Sequence, residues 1–369
     1  MTLRTRLTAL LGIEYPIVQS GMGGVAGPEL VAEVSKAGGL GIIAALHVEP
    51  DQVRDAIRRV RAATGKPFGV NQFMPDSLRP PTDPAVIPKE TVAEVQATLN
   101  GFRARLGLPT TTARPPAVPD LIDATFEVII EERVPVWSIG LGRPSDEQLR
   151  RAHARGIKVM AMVTTVEDAR ALDGAGVDII VAQGTEAGGH RSTWTKRATA
   201  GEACVGTLAL IPQVTDAVRA PVVAAGGIAD GRGLVAALAL GAAGVLLGTR
   251  FVATRESTAP EFQKKALLET ESQATAVTDA ITGLWARYIR NTYVAEYEAS
   301  GAPVFPALLQ SRAAQDIFGH AAKQNDPAWF PMPTGQSVGL IRDLPSAAEV
   351  VQRVVREARE VLAALKGLG

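Results

Sequence analysis

Eight short apolar runs, each too brief for an ordinary helix, recur along the chain at residues 15–20, 40–45, 67–73, 136–140, 157–163, 178–183, 221–225 and 244–247. Segments of helical spacing lie between them, at 28–37, 51–64, 120–133, 145–155, 166–175, 207–218 and 233–240. Strand and helix in alternation build parallel βα units. Eight such units predict an α/β fold of the (β/α)8 TIM-barrel type, with functional loops at the carboxyl ends of the strands. An open doubly wound sheet is the alternative, because periodicity does not reveal whether a sheet closes on itself.

The rhythm breaks twice. After the third run the chain makes a long excursion through SLRPPTDPAVIP, a helix at 90–106 and ARPPAVP at 113–119. Proline-rich pieces of this kind are stiff loop material, and they are expected to run over the barrel mouth as a lid. Residues 255–325 contain FQKKALLE, ITGLWARYIRNTYVAEYEA and SRAAQDIFGHAAK, read as helices of a small insertion at the mouth. The barrel would then comprise 1–254 and 326–369. Its closing helix, 347–365, carries Val350, Val351, Val354, Val355, Ala358 and Leu362 on one face.

Lys plus Arg and Asp plus Glu both number 38, so no global field draws the chain to nucleic acid or an anionic membrane. Cys204 is the single cysteine, which excludes an intrachain disulfide and suits a reducing cytoplasm. Glu14 and Pro16 interrupt the apolar start, so no signal peptide is expected; Gly241 and Gly244 divide the uncharged stretch between Arg232 and Arg250, so no membrane span is either. Four scattered histidines and one cysteine give no standard metal-site spacing.

The sixth run opens into QGTEAGGH. Gly184, Gly188 and Gly189 remove side chains where the chain turns, letting backbone approach a flat or anionic ligand. His190 then offers a side chain that titrates nearest neutrality, the natural candidate for proton transfer. The seventh and eighth runs end in Gly226–Gly227 and in Gly248–Thr249, the two loops where barrels favour phosphate. The first amides of the helix after Gly227 are expected to be free for it. Asn71, Gln72 and Gln183 supply the amides a flavin ring needs along its pyrimidine edge and ribityl chain.

With those residues in view the chain resembles the FMN-dependent nitronate monooxygenases, formerly 2-nitropropane dioxygenases. The matching stretches are IEYPIVQSGMGG, SKAGGLGIIAA, PFGVNQF, AQGTEAGGHR, PVVAAGGIADGRGLVAALALGAAGVLLGTRF and GQSVGLI. The resemblance implies FMN held by Met22, Asn71, Gln183, Gly188, Gly189, Gly226, Gly227 and the turn Leu246, Leu247, Gly248 and Thr249. It implies His190 as the catalytic base facing the isoalloxazine. The substrate would be an alkyl nitronate or nitroalkane, oxidised with dioxygen to a carbonyl compound and nitrite, by a monomer or homodimer. Two other readings stay open: an NAD(P)H-dependent FMN reductase of the enoyl-acyl-carrier-protein or quinone type, and a barrel that binds a phosphorylated metabolite as isomerase, lyase or sensor.

Overall fold

Side chains alternate along each short apolar run, and burial on both faces sorts them into two layers. The structure, a computed structural model, describes residues 3–367. Its strands in chain order are β1 (Ile17–Gln19), β2 (Gly41–Ala44), β3 (Phe68–Met74), β4 (Val136–Gly142), β5 (Lys158–Val163), β6 (Ile179–Gln183), β7 (Gly189–His190), β8 (Val222–Ala225), β9 (Gly244–Leu247), β10 (Thr275–Thr278) and β11 (Ala286–Ile289). Eight of them pair in parallel in the order β1-β9-β8-β6-β5-β4-β3-β2. A parallel bridge between Val18 and Leu40 joins the two ends. Closure settles the fold as a (β/α)8 barrel over the open sheet.

Ile17, Ile43, Val70, Trp137, Val159, Ile180, Val222 and Val245 face outward against the helices. Val18, Ile42, Val136, Met160, Met162, Val181, Val223 and Leu246 fill the interior with Leu7 and Leu11. The last two belong to the helix Arg6–Leu11, which plugs the amino end of the barrel; a Cβ on Gly244, at the start of β9, would lie 2.5 Å from the Leu7 side chain. Chemistry is therefore confined to the opposite, carboxyl end. Local sequence places the helices: Ser145 and Gln148 form the capping box expected from SDEQ, and Thr165 and Gly176 bracket Val166–Ala175.

Two expectations are corrected. Within ITGLWARYIRNTYVAEYEA the helix begins only at Thr292, and Ala286–Ile289 is a strand. Gly283 breaks any helix there, with φ 77° and no room for a Cβ, which would lie 2.0 Å from the Phe305 carbonyl. The aromatic residues that follow favour a buried strand. β11 pairs antiparallel with β10 and with β7, setting Ala286 opposite His190 and Arg287 opposite Gly189. The stretch 255–325 is thus a hairpin plus helices.

The second correction concerns the helix Gly231–Ala239. Its first amides are already satisfied: Asp230 Oδ1 accepts from Arg232 N at 3.0 Å and Gly233 N at 3.1 Å, and Glu357 Oε2 accepts from Gly231 N at 3.0 Å. A short polar side chain at the N-cap outcompetes a ligand for those donors.

Above the barrel lies a second apolar cluster, in which Val95, Leu99 and Phe102 of the helix Lys89–Leu106 meet Tyr293, Tyr297, Phe305 and Trp329. Arg103, 2% exposed, binds Asp316 through Nε at 2.8 Å, Gln96 at 2.8 Å and the Ala313 carbonyl at 2.6 Å. The proline-flanked excursion and the later insertion are therefore fastened into one cap over the mouth.

Candidate active site

β6 delivers Gln183 to the barrel mouth, and the chain then turns through three glycines into β7. The buried Gln183 amide pins that turn, donating to the His190 carbonyl at 2.9 Å and accepting from Ser192 N at 3.0 Å. Arg191, also buried, turns back beneath the loop and donates to the carbonyls of Gln183 and Gly184, each at 3.0 Å. Burial lowers its guanidinium to about 10, a cost tolerated because several carbonyls solvate it. Arg287 on β11 donates to the Thr185 carbonyl at 2.9 Å.

His190 is half-buried. Its ring meets the edge of Phe73, centroids 5.2 Å apart and planes at 89°. Its Nε2 lies 3.0 Å from Thr282 Oγ1, and that hydroxyl donates to the Leu284 carbonyl at 3.3 Å. A carbonyl only accepts, so the Thr282 oxygen receives Nε2–H and Nδ1 is left as the basic nitrogen. Burial, with a smaller contribution from His47, pulls the imidazole down to about 4, so it is neutral at pH 7.

Asn71 projects into the mouth from β3 and donates to Ser138 Oγ at 3.0 Å. A Cβ on Gly21 would lie 2.4 Å from the Asn71 side chain, so SGMGG is small for a steric reason. Gln72, expected beside it, faces the other way: it accepts from Trp137 Nε1 and donates to the Ile122 carbonyl, both at 2.9 Å. It serves packing outside the barrel, as the period of two along β3 dictates.

Gly226 and Gly227, with φ of 106° and 71°, end β8 beside Gly248 at the end of β9. Among the described residues the amides of Gly226, Gly227, Gly248 and Thr249 donate to no backbone carbonyl. Met22 flanks them, its sulfur 3.7 Å from where a Gly248 Cβ would sit. The Leu246 side chain fills the interior, whereas Leu247 faces the helices and its carbonyl accepts from Ser20 N at 3.0 Å. Gly188 has a structural use: its Cβ would lie 2.5 Å from Gly335 N, where two backbones cross.

Sequence reading gave no site role to five residues that the structure brings here. Gly335 N donates to Thr249 Oγ1 at 2.9 Å and Gln336 N to the Glu186 carbonyl at 2.8 Å, so the GQSVG stretch closes the mouth between the two loops. Thr334 beside it is fully buried with its hydroxyl unpartnered. Thr282 and Arg287 come from the hairpin mistaken for helix.

A closed barrel whose carboxyl end gathers unpaired backbone amides and an imidazole is the layout of an α/β-barrel enzyme. The family model for nitronate monooxygenase matches residues 4–357, and the chain belongs to that family of oxidoreductases. It is 37% identical over 362 residues to a Staphylococcus saprophyticus protein named "Probable nitronate monooxygenase", covering 98% of this chain and 99% of the relative. A Staphylococcus aureus (strain Newman) protein of the same name is 36% identical, with 97% and 98% covered. Among solved structures, nitroalkane oxidase from Streptomyces ansochromogenes superposes with a TM-score of 0.87 at 37% identity, covering 97% of this chain and 99% of that one. FabK from Thermotoga maritima gives 0.77 at 32% identity, with 100% of both chains covered.

Membership implies a flavin cofactor. The residues present fit one: free amides at two adjacent glycine corners suit a phosphate, the orphaned Thr334 hydroxyl beside Gly335 lacks a partner, and Asn71 and Gln183 face the interior. Among the described residues no helix is long and apolar enough to cross a membrane.

Proposed function

We propose that this chain is a cytoplasmic FMN-dependent nitronate monooxygenase, which oxidises alkyl nitronates and the parent nitroalkanes with dioxygen to carbonyl compounds and nitrite. The phosphate would rest on the amides of Gly226, Gly227, Gly248 and Thr249. Asn71, Gln183, Gly188, Gly189, Met22 and Leu246 would border the ribityl chain and ring, and Leu247 would do so through its backbone alone. When bound, the flavin supplies one-electron oxidation of the nitronate.

The carrying observation is the hydrogen bond from His190 Nε2 to Thr282, which leaves Nδ1 free to take a proton. A neutral nitroalkane must lose its α-proton before oxidation, and His190 is the base. Lowered basicity keeps the imidazole unprotonated and available at pH 7, and the negative charge that develops on the nitro group strengthens its hold on the proton as transfer proceeds. With a nitronate already formed no proton need move, and the residue only orients the anion.

The test is oxygen uptake and nitrite release by purified yellow protein given ethyl nitronate without nicotinamide. Turnover supports the reading; a flavin bleached by NADH under argon, with no nitronate oxidation, would replace it with a reductase. The FabK likeness at 32% identity keeps that second reading in view.

A further inference from the structure

Beyond His190 the chain continues through residues 192–197 as a strap past the carboxyl ends of three barrel strands. Ser192 Oγ donates to the Met162 carbonyl of β5 at 2.7 Å, the Arg143 guanidinium after β4 lies 4.6 Å from the centre of the Trp194 ring, and the Trp194 carbonyl accepts from Asp76 N, after β3, at 3.1 Å. The strap is thus anchored to the barrel before it reaches the cap.

Its last two residues meet the hairpin. β10 and β11 pair with Thr278 opposite Ala286, which brings Asp279 and Trp285 together as the two feet of the loop that carries Thr282. Lys196 Nζ binds Asp279 Oδ2 at 2.5 Å, and Trp285 Nε1 donates to the Arg197 carbonyl at 2.9 Å. The Lys196 ammonium also lies 5.1 Å from the centre of the Trp285 ring, a cation–π contact. Backbone already fixes the Trp285 foot, whose carbonyl accepts from Arg191 N at 2.8 Å; at the Asp279 foot the strap holds on through the Lys196 side chain. Gly283 N donates to the Asp279 carbonyl at 2.8 Å, so a foot that moves carries the loop with it. On the far side Leu308 N donates to the Thr282 carbonyl at 2.6 Å, which ties the loop to the cap but not to His190.

We infer that Lys196 is a positioning residue for proton abstraction: by gripping Asp279 it sets where Thr282 meets Nε2, and so which nitrogen of His190 is left as the base. The inference rests on the reading of His190 as that base. The strap springs from His190 itself, so clamp, loop and imidazole form a closed ring, and slack at Lys196 reappears between Thr282 and His190. An ion pair whose side chains are 33% and 21% exposed contributes little to stability. Its use is geometric, since proton transfer needs its partners within hydrogen-bond reach and a small misplacement costs much of the rate.

The test is nitrogen NMR of the FMN-loaded protein with isotope-labelled histidines, His190 being assigned by its loss in His190→Asn, together with steady-state rates for nitroethane and ethyl nitronate. Wild type is expected to show one tautomer of His190, with the proton on Nε2. Lys196→Met keeps the stem and removes the charge; it should mix the two tautomers and lower kcat for nitroethane about tenfold at unchanged KM, with ethyl nitronate turnover within about twofold of wild type. Lys196→Arg should restore both tautomer and rate. Asp279→Ala opens the same contact from the other side and serves if Lys196→Met misfolds. A single tautomer kept in both variants, or equal losses on both substrates, overturns the inference. If the tautomer stays fixed while His190→Asn still silences nitroethane alone, the base stands and the clamp falls; if the tautomers mix and nitroethane turnover does not change, His190 is not the base and the positioning role falls with it.

Discussion

Thr282 Oγ1 lies 3.0 Å from His190 Nε2, and it reaches the imidazole from a strand-flanking loop that is not part of the barrel. The orientation and tautomer of the imidazole are thereby set by a separate hairpin. Losing that acceptor leaves Nε2–H unpaired and lets Nδ1 lose its bearing. Thr282→Val is expected to lower kcat for nitroethane about tenfold to a hundredfold, with Thr282→Ser restoring most of it. Steady-state kinetics on both variants decide the matter; equal rates in Val and wild type would show the contact to be idle.

His190→Asn keeps a polar side chain of similar reach but cannot accept a proton usefully. Nitroethane oxidation should fall at least about a hundredfold, and ethyl nitronate oxidation should stay within about tenfold, with FMN still bound. A similar loss on both substrates would assign the residue to something other than proton abstraction.

The imidazole drops from 6.5 to about 4 on folding, mainly through burial. The unfolded chain therefore binds a proton that the folded chain refuses, and stability declines as pH falls from 6.5 towards 4. Removing the group in His190→Asn should make the midpoint of thermal unfolding less sensitive to pH in that window. Scans at half-unit intervals, compared with wild type, test it; parallel curves would contradict it. Nitroethane turnover should likewise hold to about pH 5 and fall to half near pH 4, where the imidazole titrates.

Gly227 sits at φ 71° in the proposed phosphate cradle. Alanine there costs about 1–2 kcal/mol of backbone strain and tilts the free amides. Gly227→Ala should release FMN with a Kd about tenfold weaker while the apoprotein stays folded. Fluorescence titration of apoprotein with FMN gives the number, and unchanged affinity would move the cradle elsewhere.

Arg103 is buried against a half-exposed Asp316 and two amides. Arg103→Met should destabilise the cap by about 2 kcal/mol, since the acid can reach water but Gln96 and the Ala313 carbonyl cannot easily be resatisfied. Urea unfolding measures this; a neutral result would mean the cap holds by apolar packing alone.

The barrel was legible in the sequence because eight buried strands must be apolar on both faces, so each announces itself without a partner. His190 stood out in the sequence as a histidine directly after a glycine pair, and the structure places it at the carboxyl end of the barrel beside β11. The hairpin was not legible: ARYI sets one arginine among apolar and aromatic residues in only four positions, and so short a run looks the same inside a helix or a strand. Its partner, β7, has two residues and no pattern at all. Gln72 could have been set aside by counting along β3 from Asn71, whereas the Asp230 cap depended on which donor a side chain reached first.

Because Ala286 lies opposite His190, the register of β11 determines what the imidazole faces. A strand shifted by one position turns every side chain over. Adding or removing a single residue between Asp279 and Trp285 would consequently change which side chain lies beside that imidazole, while the barrel strands kept their own pairing. Length variation in so small a connection offers a protein lineage a way to try new reactions on an unchanged frame.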